Sequence, residues 1–144
     1  MAQLRTIFAK GGETPELERQ AISNAVSWQE KRVGKLIGSS DDLGGLDIYN
    51  AGVPGQMDCI DEAANTTSLL VFLQSKSLLR HHIVERPQTR GYFFDGKYPH
   101  ATAVVREKMS GQKYVIDSWR LPNGNPPDIM LLTVWSKIKA SDLE

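Results

Sequence analysis

The spacing of apolar residues changes once along this chain. Between residues 14 and 75 it follows the helical period; between residues 79 and 138 apolar positions alternate in short runs. The first ten residues, ahead of Gly11-Gly12, read as a short strand or an ordered arm. Thr14-Pro15-Glu16 then starts a helix, with Thr as cap, Pro at the first helical position and an acid in the first turn. Leu17, Ala21, Ala25, Trp28, Val33, Leu36 and Ile37 form its expected core face, and Gly38 ends it. Residues 39–55, with four glycines between Gly44 and Gly55 and one proline, form a long connection of the kind that often carries function.

A second helix is expected over Cys59–Ser75, capped by Asp58, with Asp61 three residues on as in a capping box. Its many apolar residues, Ala63 and Leu69 to Leu73 among them, point to a central buried helix. Strands are expected over 80–84, 91–94, 101–107 and 113–119, with Ser110-Gly111 turning the last two into a hairpin. Residues 129–138, around Trp135, fit either a closing strand or a short helix. Helices first and antiparallel strands later give an α+β fold. We expect one domain over 1–144, helical over 14–75 and β-rich over 79–138.

Composition narrows the function classes. Seventeen basic and seventeen acidic side chains cancel, so there is no general nucleic-acid footprint. No run reaches the length of a membrane-spanning helix. The first eight residues are too short and too polar for a secretory signal, so a periplasmic location would require a leader already removed, and the compartment stays open. Too few cysteines and histidines stand at ligand spacing for zinc. His81 and His82 are adjacent; on a strand they face opposite sides, one outward and one into the core or a cleft.

The single cysteine changes the picture most. Cys59 sits where loop becomes helix, and a helix N-terminus favours thiolate over thiol. His100 begins one alternating run and Asp117 lies in the next. A thiol nucleophile, an imidazole base and an orienting carboxylate therefore each stand at the edge of a predicted element. Each has a plain structural alternative: a buried inert thiol, a strand-capping histidine, a surface acid before a core Trp. The three together favour one site.

The runs Asp58-Cys59-Ile60-Asp61-Glu62-Ala63, His100-Ala101-Thr102-Ala103-Val104 and Tyr114-Val115-Ile116-Asp117-Ser118-Trp119 resemble the three motif blocks of the transglutaminase-like branch of papain-type cysteine enzymes. The resemblance spans Gln56 to Trp119 and is closest to small bacterial transglutaminase-like cysteine proteases. It implies a core in which the catalytic Cys59 heads a central helix packed on a small antiparallel sheet bearing His100 and Asp117. It also implies a hydrolase or amidase acting on protein or peptide substrates through a thioester. Water as acyl acceptor gives hydrolysis and an amine gives crosslinking. Gln56 is the side-chain candidate for the oxyanion hole, beside the Cys59 N–H, and Trp119 for shielding the His–Asp pair or simply filling core.

Some relatives of this kind bind calcium with acids on both sides of the cysteine. Here Asp58, Asp61 and Glu62 are the calcium candidates, but Ile60 follows the cysteine, so helix capping and dipole compensation are the favoured role and no cofactor is expected. These acids also oppose thiolate formation. Arg90 is expected to be structural. The competing reading is a non-catalytic protein-binding module on the same fold.

Overall fold

The computed structural model describes residues 1–40, 57–91 and 99–139. Within them the protein is α+β, with four helices and a four-stranded antiparallel sheet. Helix α1 (Ala2–Gly11) replaces the expected strand or arm. Leu4, Phe8 and Gly11 are buried at helical spacing, and a side chain at Gly11 would collide with Ala21 of the next helix. The glycine that reads as a breaker is thus where two helices touch.

Helix α2 (Pro15–Ile37) begins and ends as expected. Thr14 Oγ1 accepts the Leu17 N–H at 3.2 Å, and Gly38 stops the helix at φ +80°. Its inner face differs from the expected one. Ala21 and Ala25 are buried as expected, but Glu18, Ile22 and Val26 complete that face while Leu17, Leu36 and Ile37 are exposed. Helix α3 (Cys59–Ser75) is capped by Asp58, whose Oδ1 accepts the N–H groups of Ile60 and Asp61 at 2.9 and 2.8 Å. It buries one face rather than its whole circumference: Leu69, Leu70 and Leu73 point inward, and Val71 and Phe72 are exposed.

The strands β1 (His82–Arg90), β2 (His100–Glu107), β3 (Lys113–Asp117) and β4 (Asp128–Leu131) lie side by side in chain order. Strand β1 runs past the expected end at Val84, through an irregularity between Glu85 and Gln88 that contains Pro87. Of the expected strand over 91–94, residues 92–94 lie outside the described residues, as do residues 41–55 of the long connection. The β2–β3 hairpin forms with Val104 opposite Val115, and Gly111 at φ +71° supplies its turn. The segment around Trp135 is both things expected of it, strand β4 and then a one-turn helix α4 (Leu132–Trp135).

Alternation in the hairpin divides the core. Ala103, Val105 and Ile116 face the long helices, packing with Leu4, Phe8, Ile22, Leu69 and Leu73. Val104 and Val115 face the other way and pack on Trp135. Among the described residues no helix is long and apolar enough to cross a membrane.

A buried acid locks α2 to the sheet. The Glu18 carboxylate, fully enclosed, accepts the N–H groups of Arg80, His81 and His82 at 2.6 to 3.0 Å and His82 Nδ1 at 2.9 Å. Arg19 Nη1, which can only donate, approaches His82 Nε2 at 3.2 Å and also bonds Glu107 at 2.8 Å. That contact makes Nε2 the acceptor and Nδ1–H the donor to Glu18, fixing one tautomer. Of the pair, His82 is the inward member, while His81, ahead of the strand, is half-buried rather than solvent-exposed and reaches the Gly12 carbonyl at 3.1 Å. Burial pushes the Glu18 carboxyl up, but the bonds from His82 and from the His81 and Arg80 N–H groups outweigh it and hold the carboxyl below its usual 4.5. Its stabilising effect is therefore complete above the ordinary carboxyl range and is lost as pH falls through the depressed folded value. Glu18→Gln should cost about 3 kcal/mol in urea unfolding at pH 7 and lessen the loss of stability on acidification below pH ~4.5.

Candidate active site

The hairpin register decides where the His–Asp pair stands. His100 opens β2 and Asp117 closes β3, at the same end of the two strands. Both point to the face that carries Val104, Val115 and Trp135, by the two-residue alternation. His100 Nε2 lies 2.9 Å from Asp117 Oδ1 and 2.8 Å from Oδ2. The side chains are almost fully enclosed, so the interaction is sheltered from solvent. With the carboxylate as acceptor, Nε2 carries the proton. The other ring nitrogen, Nδ1, is buried and makes no hydrogen bond.

Two tryptophans hold the imidazole between them. The Trp119 ring lies 4.3 Å away, tilted by 36°, and the Trp135 ring 5.6 Å away, tilted by 47°. Indoles at these distances restrict rotation of the ring. Trp119 is itself 5 % exposed, and it screens the pair on one side.

Cys59 approaches from the helical layer, on the sheet face opposite the one toward which His100 points. It is the first residue of α3, and it forms a buried cluster with Ala63, Ala101 and Trp119. Ala101 is the neighbour of His100 in β2, and Trp119 is the ring stacked on the imidazole. Trp119 thus adjoins both the thiol cluster and the imidazole that Asp117 holds, and no hydrogen bond joins Nδ1 to the sulfur. The helix dipole favours negative charge on the sulfur; the exposed Asp58 and Asp61 and the buried Glu62 oppose it.

The acids near the cysteine separate into different roles. Asp58 is the helix cap. Glu62 turns inward and accepts the Ser118 hydroxyl at 2.7 Å, and Thr66 stands 3.2 Å from the same hydroxyl. Ser118 lies between Asp117 and Trp119, so this contact ties the first turns of α3 to the end of β3. Among the described residues no group of three acids, histidines or cysteines is arranged to hold a metal. Gln56 lies outside the described residues.

Sequence reasoning gave Trp135 no part in the site. Its Nε1–H donates to Asp117 Oδ2 at 2.7 Å from a position 18 residues away. No local pattern signals such a contact. Arg90, expected to be structural, is buried and donates to the carbonyls of Trp135 and Ile138 at 2.9 and 2.8 Å. Arg120 bonds Asp128 at 2.7 Å, which offsets the like charges of Asp117 and Asp128, directly opposed in the β3–β4 pairing. The hydrogen bond with Asp128 holds the Arg120 guanidinium above its ordinary value against the pull of burial, and the Asp117 charge adds to it.

Set against known proteins, the chain matches no family model, no curated protein and no solved structure. Asp117→Ala would strand two buried donors, on His100 and Trp135. It should destabilise the protein by about 3 kcal/mol in chemical denaturation, and Asp117→Asn, which keeps one acceptor, by less.

Proposed function

We propose that this protein is a thiol acyl-transfer enzyme, a cysteine peptidase or amidase on a papain/transglutaminase-like core, with Cys59 as nucleophile, His100 as base and Asp117 as orienting group. The observation that carries the reading is the state of His100. Asp117 takes one ring nitrogen, the other is enclosed and without a hydrogen bond, and the ring stacks on Trp119, which also packs with the single cysteine.

In this reading His100 Nδ1 takes the Cys59 proton, giving a thiolate and an imidazolium. The sulfur attacks a substrate carbonyl carbon. The tetrahedral oxyanion is stabilised by the Cys59 backbone N–H and by a second donor for which Gln56 is the candidate. The C–N bond breaks, the amine leaves with the proton from His100, and a thioester remains. Water or a second amine then attacks the thioester, gives its proton to His100, and restores the thiol as the acyl product departs. Asp117 orients the ring and offsets the charge it carries during both halves. Protein or peptide amides are the substrate class. No step needs calcium, and Asp58 and Glu62 are engaged in capping and in the contact with Ser118.

A non-catalytic binding module on the same fold is favoured by one observation. Cys59 is only 9 % exposed, packed among Ala63, Ala101 and Trp119. Iodoacetamide labelling across pH 5 to 9 separates the two. The enzyme requires rapid alkylation of Cys59 below pH 7, slowed at least tenfold by His100→Gln and absent in Cys59→Ala. Slow labelling that follows an ordinary thiol, with a midpoint of about 8.5, and no dependence on His100 overturns the acyl-transfer reading and selects the binding module.

A further inference from the structure

Trp135 belongs to a four-residue helix that has no side-chain cap. A single turn of helix does not hold itself rigid, because its terminal backbone groups lack partners. Here an outside donor adds to the turn's own bonds, in which the Ile138 N–H reaches the Trp135 carbonyl at 3.2 Å. Arg90 Nη1 donates to the Trp135 and Ile138 carbonyls, and its guanidinium carbon lies 4.6 Å from the centre of the Trp135 ring. Arg90 ends β1 and is the direct cross-strand partner of His100. The brace and the imidazole therefore rest on the same rung of the sheet.

The Asp117 carboxylate needs such a brace. Its two oxygens stand at nearly equal distances from His100 Nε2, 2.9 and 2.8 Å, so that bond alone does not select one oxygen. The Trp135 N–H does, by binding Oδ2 at 2.7 Å. An indole N–H only donates, and the ring is 1 % exposed, so no other orientation of the residue keeps that proton bonded to the carboxylate. Fixing the carboxylate plane fixes the imidazole, and with it the direction of Nδ1. The charged and titratable groups around the pair are Arg90 from β1, Arg120 after β3, Asp128 from β4, and Cys59 and Glu62 from α3. Apart from His100, Trp135 is the one side chain among the described residues with a hydrogen bond to the Asp117 carboxylate.

We propose that Trp135 is a positioning residue for the Asp117–His100 pair, and that Arg90 acts through it by clamping its backbone and ring. The proposal rests on the acyl-transfer reading for its catalytic meaning, but its geometry is testable separately. Removing the indole donor leaves Asp117 a stronger acceptor for the His100 N–H, which favours imidazolium, and leaves the ring less well aimed.

The test is Trp135→Phe in the full chain, which keeps an aromatic ring and removes the N–H. Two quantities are followed against pH: the His100 ring titration by NMR and the alkylation rate of Cys59. We expect cooperative unfolding to persist, the His100 midpoint to rise by about one pH unit, and the plateau alkylation rate to fall about tenfold. Arg90→Lys, which keeps the charge but cannot clamp both carbonyls, should shift the midpoint the same way by less. A His100 midpoint unchanged in Trp135→Phe overturns the proposal, because a packing role alone leaves it in place. If that variant does not fold, the wild-type Trp135 indole proton decides. A resonance that moves with the His100 titration supports the proposal, and one that ignores it overturns it. If wild-type Cys59 reacts as an ordinary thiol while Trp135→Phe still moves the His100 midpoint, the positioning role stands and the acyl-transfer reading falls.

Discussion

A carboxylate taken out of water must be surrounded by donors, and three such groups fix how the layers of this protein meet. Glu18 gathers three successive backbone N–H groups and an imidazole at the start of β1. Glu62 takes the Ser118 hydroxyl and so joins α3 to the end of β3. Asp117 takes His100 and Trp135 and so joins β2, β3 and α4. Apolar burial brings the helices and sheet together without direction. These carboxylates supply the direction, since each is tolerable in only one arrangement.

The same constraint links fold to chemistry. Cys59 is placed by α3, and α3 is placed by its cap, by its leucine face and by the Glu62–Ser118 contact. His100 is placed by a strand and aimed by a carboxylate that a second residue orients. A proton moving between sulfur and ring would therefore move between groups held by separate layers. Their mutual geometry is only as good as the contacts between those layers. In this view the buried acids are part of the proposed site even where they touch nothing reactive.

How much of this was legible in the chain depended on how local each signal was. The Thr14-Pro15 start of α2, the Asp58 cap of α3 and the Ser110-Gly111 hairpin rest on neighbouring residues, and they form where the sequence places them. The identity of α1 did not show, because its packing depends on Gly11 meeting Ala21 across a turn. The inner face of α2 was misplaced for a related reason. Hydrophobicity marks Leu17 as core and Glu18 as surface, but the partners of Glu18 stand more than sixty residues away and reverse the order. Cys59, His100 and Asp117, singled out by their order, each lie at an element boundary in the structure. The second bond to Asp117, from Trp135, could not be read, because it depends on β4 bringing a one-turn helix under the sheet.

The irregular stretch of β1 reaches beyond this molecule. Among the described residues strand β1 is an edge of the sheet, and between Glu85 and Gln88 it loses register, carries a proline that cannot donate, and presents exposed Arg86 and Pro87. The opposite edge, β4, is four residues long and turns at once into helix. Neither margin offers an unbroken ladder for a stranger's backbone to copy, so the sheet is guarded against growing by accretion into fibres.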